Sequence, residues 1–379
     1  MRIAAICSNS VKIGKNTKKG TEIFDFTLLN YLSKLKNRDV QVTAFTSGDS
    51  KLPVKIESIN YRSSFEDKNI GMTNHKIFEV ALAAKAFAMQ DKFDLYHVNI
   101  GNGEIVLPFA QFVKKPILIT LHGTLDDPYI PKYFPLFKNY KNVYFISISD
   151  AQRKPFPSLN FIKTIHHGLD IEKLFRFNPV GDKHIIWSGR AIPEKGLDIV
   201  LSVVKRVKKS AKVFPMIKED YLHWLHDEII KKRNLIYQAA KIYIDFDVNR
   251  KELNHHYQSG KLFLFPLQWE EPFGLTLIES MACGTPVVAY GRGSIPEIVK
   301  DGETGFIINP SDEDIRGNWI IKKTGVEGLC EAVNYIYSMQ KENYEVMRKT
   351  CRAHVEKNFS VERMIEDYVN VYKQILSKK

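Results

Sequence analysis

Residues 269–309 read WEEPFGLTLIESMACGTPVVAYGRGSIPEIVKDGETGFIIN. Pro272 and Gly274 hold the front of this stretch out of regular structure. Leu275 to Cys283 then has the apolar spacing of a helix, which Gly284 and Pro286 stop. A loop therefore feeds a helix N-terminus, where unpaired N–H groups and the positive end of the dipole suit an anion. Phe273, Gly274, Leu275 and Thr276 form the cradle, and Gly274 lets a phosphate come close.

Glu271 stands just before the cradle, and Glu279 follows Thr276 by three positions, on the same helix face. Carboxylates repel phosphate but accept hydrogen bonds from hydroxyls, so the pattern fits a phosphate-bearing polyol such as a nucleotide sugar. A lone pair of glutamates is more often solvated charge on a packing helix; here the surrounding pattern decides. EPFGLTLIESMACGTPVVA followed by GSIPEIVKDGETGFII closely resembles the signature of retaining glycosyltransferase family 4, the glycosyl transferases group 1, whose fold is GT-B. The resemblance implies that Glu271 contacts donor-sugar hydroxyls, that Glu279 binds the nucleotide ribose, and that amides around Phe273 to Thr276 hold sugar and phosphate.

Upstream, a strand at His184 to Trp187 leads into SGRAIPEKG and a helix from Leu197 to Lys208. Arg190 offers a fork of donors and Lys195 a point charge, a plausible diphosphate clamp at a strand's carboxyl end. The resemblance assigns the two cations that role. The run VKRVKKSAK beyond them keeps Leu201, Val204 and Val207 at apolar spacing without interleaved aromatics, which reads as a solvated helix face rather than a nucleic-acid site.

The chain opens with a strand at Arg2 to Cys7, a polar loop to Gly20 and a helix at Thr21 to Leu35. Neither GxGxxG nor GxxxxGK[ST] is present. The resemblance pairs Gly20 with the second glycine of a loop that approaches the donor diphosphate; Lys19 replaces the first. Strands at Val40 to Thr46, Asp94 to Val98, Ile117 to Leu121 and Val143 to Ile148 alternate with helices at Asn74 to Met89 and Glu104 to Phe112, the pattern of a parallel sheet. His97 and His122 then fall at strand ends on the ligand-facing rim. The resemblance places His122, in TLHG, beside the reacting sugar, and His97 near the acceptor; each also reads as a structural histidine.

A chain of 379 residues predicts two domains. HHGLD at 166–170 resembles the family's crossing between domains, which gives 1–167 as an acceptor-binding and 168–359 as a donor-binding Rossmann-like domain, facing a central cleft, with the helix 360–379 packing back onto the first. Helices at Asp220 to Lys232, Gly328 to Met339, Glu342 to Asn358 and Ser360 to Ser377 complete the α/β reading. Where relatives carry glycines near the base, this chain has FPMIKED and DFDVN, so the base stays open between UDP and GDP. Asp245 and Asp247 form an Asp-x-Asp pair, but where the family resemblance implies a base-contacting turn; no metal or other cofactor is expected.

Four scattered cysteines without metal spacing suit a reducing compartment, and neither a signal peptide nor a membrane span is evident, so a cytoplasmic protein is expected. The net charge of +12 implies an anionic partner, and about +9 of it lies in residues 1–165, with 23 Lys and Arg against 14 Asp and Glu. A basic first domain suits contact with an anionic membrane carrying a lipid-linked acceptor. The expected reaction is retaining transfer of a sugar to a glycan, lipid-linked or small-molecule acceptor. The alternatives are a GT-B nucleotide-sugar epimerase or sugar phosphorylase, and a noncatalytic polyanion or RNA-binding protein, the last disfavoured by the absence of RNA motifs.

Overall fold

The computed structural model describes residues 1–35, 40–231 and 240–378. They form two compact units, residues 1–168 with 361–379, and residues 169–360.

In the first unit seven strands pair entirely in parallel, in the order β3-β2-β1-β4-β5-β6-β7. They are β1 (Arg2–Ile6), β2 (Gln41–Phe45), β3 (Lys55–Glu57), β4 (Leu95–Val98), β5 (Ile117–Thr120), β6 (Val143–Ser147) and β7 (Phe161–Thr164). The central ones are apolar runs buried on both faces, as a parallel sheet covered by helices requires. Helices α1 (Gly20–Leu32) and α2 (Gly71–Ala88) join the strands. β3 is too short, just behind Pro53, to show alternation in the sequence. The helix expected at 104–112 is a 3₁₀ turn, Leu107–Phe112, because Pro108 would be the fifth residue of a helix begun at 104, where it lacks the N–H for the bond to residue 104 and its ring crowds that carbonyl.

The second unit repeats the scheme with six parallel strands in the order β10-β9-β8-β11-β12-β13. They are β8 (Ile185–Arg190), β9 (Ala211–Met216), β10 (Ile242–Ile244), β11 (Leu262–Phe265), β12 (Val287–Tyr290) and β13 (Gly305–Ile308). Helix α3 (Leu197–Val207) buries Leu197, Val200, Leu201, Val203 and Val204, while Lys205 and Arg206 stay exposed. Helix α4 (Arg250–Ser259) is absent from the sequence reading because its stretch is polar almost throughout. Its Asn249 cap accepts from the Glu252 amide at 3.1 Å, and buried Tyr257 anchors it through Ser188 at 2.5 Å. The expected helix at 220–232 is broken into a 3₁₀ turn at Glu219–Tyr221, an α turn at Leu222–Trp224 and a π-helical turn at Leu225–Ile230; Lys232 lies outside the described residues. Helices α5 (Leu275–Ala282), α6 (Gly325–Ser338) and α7 (Lys341–Asn358) follow.

The last helix, α8 (Val361–Ser377), belongs to the first unit. Its Val361, Met364, Ile365, Tyr368, Val371, Tyr372 and Ile375 pack with Phe24, Leu28 and Leu32 of α1.

Candidate functional site

In an open parallel sheet the strand order reverses at one point, and the loops leaving the two strands there diverge to opposite faces, opening a crevice at their carboxyl ends. In the second unit that point lies between β8 and β11. Arg190 is the last residue of β8, Lys195 follows five residues on, and the WEEPFG loop leaves β11. The loops brought to one crevice are thus the ones that carry the sequence's candidate residues.

Lys195 Nζ lies 2.8 Å from Glu271 Oε2, with both side chains nearly buried at 11% and 12% exposure. The Trp269 indole N–H donates to the same carboxylate oxygen at 2.9 Å. Burial works against ionisation of Glu271, but the charge and hydrogen bond of Lys195, the Trp269 donor and the charge of Arg190 outweigh it and hold the carboxyl below its ordinary range. The Trp269 ring carries both cations on its π system, Lys195 Nζ at 4.5 Å and Arg190 Cζ at 4.9 Å from its centroid. Among the described residues the Arg190 guanidinium donates no hydrogen bond, so its fork of N–H groups is available to an anion. The Trp187 indole holds the loop from below, donating to the Lys195 carbonyl at 3.2 Å.

Gly274 precedes α5 with φ +87°, a left-handed conformation, and a Cβ there would stand 2.9 Å from Leu277 Cδ1. No side chain caps the helix, so by helix geometry the amides of Leu275 and Thr276 have no partner within it, and both residues are part-exposed. Phe273 is buried; its carbonyl accepts from Ser294 Oγ at 2.7 Å, and the Glu271 carbonyl accepts from the Ser294 amide at 3.0 Å. Gly293 lets the two loops meet: its φ is +56°, and a Cβ would fall 2.3 Å from the Glu271 carbonyl. Glu270 ties them further, accepting from the Gly293 amide at 2.7 Å and pairing with Arg316 at 2.9 Å. Glu279, 4% exposed, accepts from Arg250 Nε at 2.8 Å and forms an ion pair with its Nη2 at 2.6 Å.

The remaining candidates lie in the first unit. Gly20 is exposed at the first residue of α1, with Lys19 Nζ over the Phe65 ring at 4.3 Å. His122 follows β5, stacked on His167 at 5.8 Å and against Phe24 at 4.9 Å. Its Nε2 is buried without a hydrogen-bond partner among the described residues, and burial pushes the imidazole down to about 3. His97 needs correcting. It lies within β4 rather than after it, fully buried, with Nδ1 2.7 Å from the Tyr372 hydroxyl and Nε2 2.8 Å from Thr120 Oγ1. Both ring nitrogens are taken, Nδ1 by α8 and Nε2 by the neighbouring strand β5, which leaves none for an acceptor.

Burial, with a smaller contribution from His122, lowers His97 from 6.5 to about 3. A histidine kept neutral by the fold takes up a proton on unfolding, so stability is full above about pH 6.5 and lost as pH falls toward 3. Urea midpoints are therefore expected to drop between pH 7 and pH 4.5, and His97→Gln, which keeps hydrogen-bonding capacity without titrating, should flatten that slope. An unchanged slope would place the acid sensitivity elsewhere.

Sequence reading missed Trp269, Glu270 and Arg250. Trp269 and Glu270 stood inside the quoted stretch, but nothing local marked their partners. Arg250 had a faint signal, a cation in the first turn of a helix, where the dipole disfavours it.

Residues 170–322 match the family model described as glycosyl transferases group 1. A Klebsiella pneumoniae protein described as an uncharacterized 41.2 kDa protein in the cps region is 28% identical over 228 residues, 57% of this chain and 56% of that protein, so the match spans about half of that relative. Among solved structures, sucrose-phosphate synthase from Thermosynechococcus elongatus has a TM-score of 0.75 at 18% identity, covering 100% of both chains. HepE from Anabaena, in complex with UDP-glucose, has a TM-score of 0.71 at 16% identity, covering 99% of this chain and 100% of that one. At such identities the likeness carries the fold.

Proposed function

We propose that this chain, whose residues 170–322 match the glycosyl transferases group 1 model and whose fold is GT-B, moves a sugar from a UDP- or GDP-linked donor to an acceptor hydroxyl, with retention at the anomeric carbon, as a member of family 4. The observation that carries this reading is the crevice at the β8/β11 switch point, where Arg190, the Lys195–Glu271 pair and the open start of α5 converge.

The difficult step is charge building on the departing diphosphate. Arg190 with its free donors, Lys195 and the amides of Gly274, Leu275 and Thr276 supply preorganised positive potential, so the reading needs no metal or other cofactor. Glu271 accepts from donor-sugar hydroxyls; pairing with Lys195 lets a carboxylate sit beside phosphate at low electrostatic cost. Glu279 takes the ribose hydroxyls. In the first unit, Gly20 approaches the diphosphate and His122 positions the donor sugar. Retention follows from same-face attack, in which the leaving phosphate takes the acceptor proton. The acceptor is a glycan or lipid-linked hydroxyl bound by the first unit, as in polysaccharide biosynthesis. No helix among the described residues is long and apolar enough to cross a membrane; in this reading a cytoplasmic enzyme meets a lipid-linked acceptor peripherally, through its basic surface.

Thermal melts of the wild type and Glu279→Ala with UDP, GDP, ADP and NAD test the donor site, since a ligand specific for the folded state raises the midpoint. One nucleoside diphosphate is expected to stabilise the wild type by several degrees and the variant much less. If none of the four shifts the wild type, the donor reading is lost.

A further inference from the structure

In the second unit each of the two carboxylates of the crevice is paired with a cation from a different element, Lys195 with Glu271 and Arg250 with Glu279. The second pair is the less expected. Arg250 opens α4, where the positive end of the helix dipole repels a cation, so its own helix does not explain its placement. Its Nε donates to Glu279 Oε1 at 2.8 Å, its Nη2 stands 2.6 Å from the same oxygen as an ion pair, and the Phe175 ring lies 5.7 Å from the guanidinium carbon. Among the described residues Glu279 Oε2 accepts no hydrogen bond.

The consequences follow from electrostatics and geometry. A carboxylate whose side chain is only 6% exposed is costly without a partner, and the guanidinium offsets that cost. The Nε hydrogen bond and the ion pair hold Oε1 in place, and Oε2 remains the acceptor with no donor among the described residues. An acceptor held that way discriminates by hydroxyl count: a ligand that lacks the hydroxyl leaves a nearly buried oxygen unpaired, which costs more than the bond gained.

We propose that Arg250 is a positioning residue that makes the donor site select ribonucleotides over 2′-deoxyribonucleotides by holding Glu279 oriented toward the ribose hydroxyls. This rests on the donor-site reading above. Arg250 itself need not touch the ligand.

Titration calorimetry on the full chain with UDP, GDP, ADP and their 2′-deoxy counterparts tests it, using wild type, R250M, R250K and E279Q. Side-chain exposure of 28% at Arg250 favours folded variants, and melting curves verify each one. For the nucleotide that binds, the wild type is expected to prefer the ribo form by about 10-fold or more. In R250M and E279Q the ratio should fall to within about 2-fold, and R250K, which restores the charge but not the fork, should lie between. Should R250M not fold, a wild-type ratio in R250K overturns the inference. A wild-type ratio retained in R250M, tighter ribonucleotide binding in that variant, or equal binding of both forms by the wild type likewise overturns it, while leaving the donor site standing. Wild type that binds none of the three nucleotides removes the donor reading itself, and this inference with it.

Discussion

Lys195→Ala is expected to lower turnover by about 10²-fold or more, the scale seen when one preorganised donor to a developing negative charge is removed. The loss has two sources. The diphosphate forfeits a cation in a nearly dry setting, and Glu271 is left with its side chain 12% exposed and without the partner that stands 2.8 Å away. An unpaired carboxylate there would repel the phosphate it was neutralised to accommodate. Arg190→Ala should cost a similar factor chiefly through the first source, because the guanidinium stands over the Trp269 ring, donates no hydrogen bond among the described residues, and acts on Glu271 only through its charge. The two variants thus differ in a second readout: Lys195→Ala should raise the Glu271 carboxyl toward its ordinary range, and Arg190→Ala should do so only slightly. Steady-state rates on a nucleotide sugar together with a pH profile separate these effects. Rates near wild type in both variants would remove the cations from the mechanism.

The largest stability effect is expected at Arg348, which is 0% exposed on α7. It has no carboxylate partner among the described residues. Its guanidinium instead donates to the carbonyls of Asn178 at 2.7 Å, Gly260 at 2.7 Å, Gln258 at 3.0 Å and Cys283 at 3.3 Å, and to the Tyr344 hydroxyl at 3.0 Å. These acceptors come from the segment before β8, the end of α4 and the end of α5, so one side chain gathers the elements that carry Glu279 and lead into β11. Arg348→Leu strands several buried carbonyls at once and should cost about 3–5 kcal/mol. For a unit of this size that corresponds to a midpoint lower by roughly 6–20 °C. Chemical denaturation of the variant beside wild type provides the measurement; a loss below about 1 kcal/mol would mean that water takes over the carbonyls.

Most of the site's local grammar was legible in the sequence. The helix at Leu275–Ala282, the glycine before it and the cations after β8 follow from turn residues, apolar spacing and the family signature, all of which act over a few residues. Alternating strands and helices likewise called for parallel sheets, and the GT-B fold holds. What failed were weak or polar elements. α4 has too little apolar periodicity to stand out, β3 is three residues long, and 219–230 changes helix type twice. The family resemblance gave Lys195 to the diphosphate, and the structure adds that its nearest counter-charge is Glu271.

Sequence by itself determined much of the secondary structure, the alternation that makes the sheets parallel, and which stretch opens a helix behind a glycine-bearing loop, because each depends on neighbours along the chain. Tertiary structure decided the partners of the site's carboxylates and of the buried histidine. Lys195 and Glu271 are 76 residues apart, Arg250 and Glu279 are 29 apart, and His97 finds Tyr372 across 275. Those pairings depend on the strand order, which brings β8 beside β11 and α8 back against β4, and on burial, which removes water as the competing partner and makes each pairing a condition of the fold.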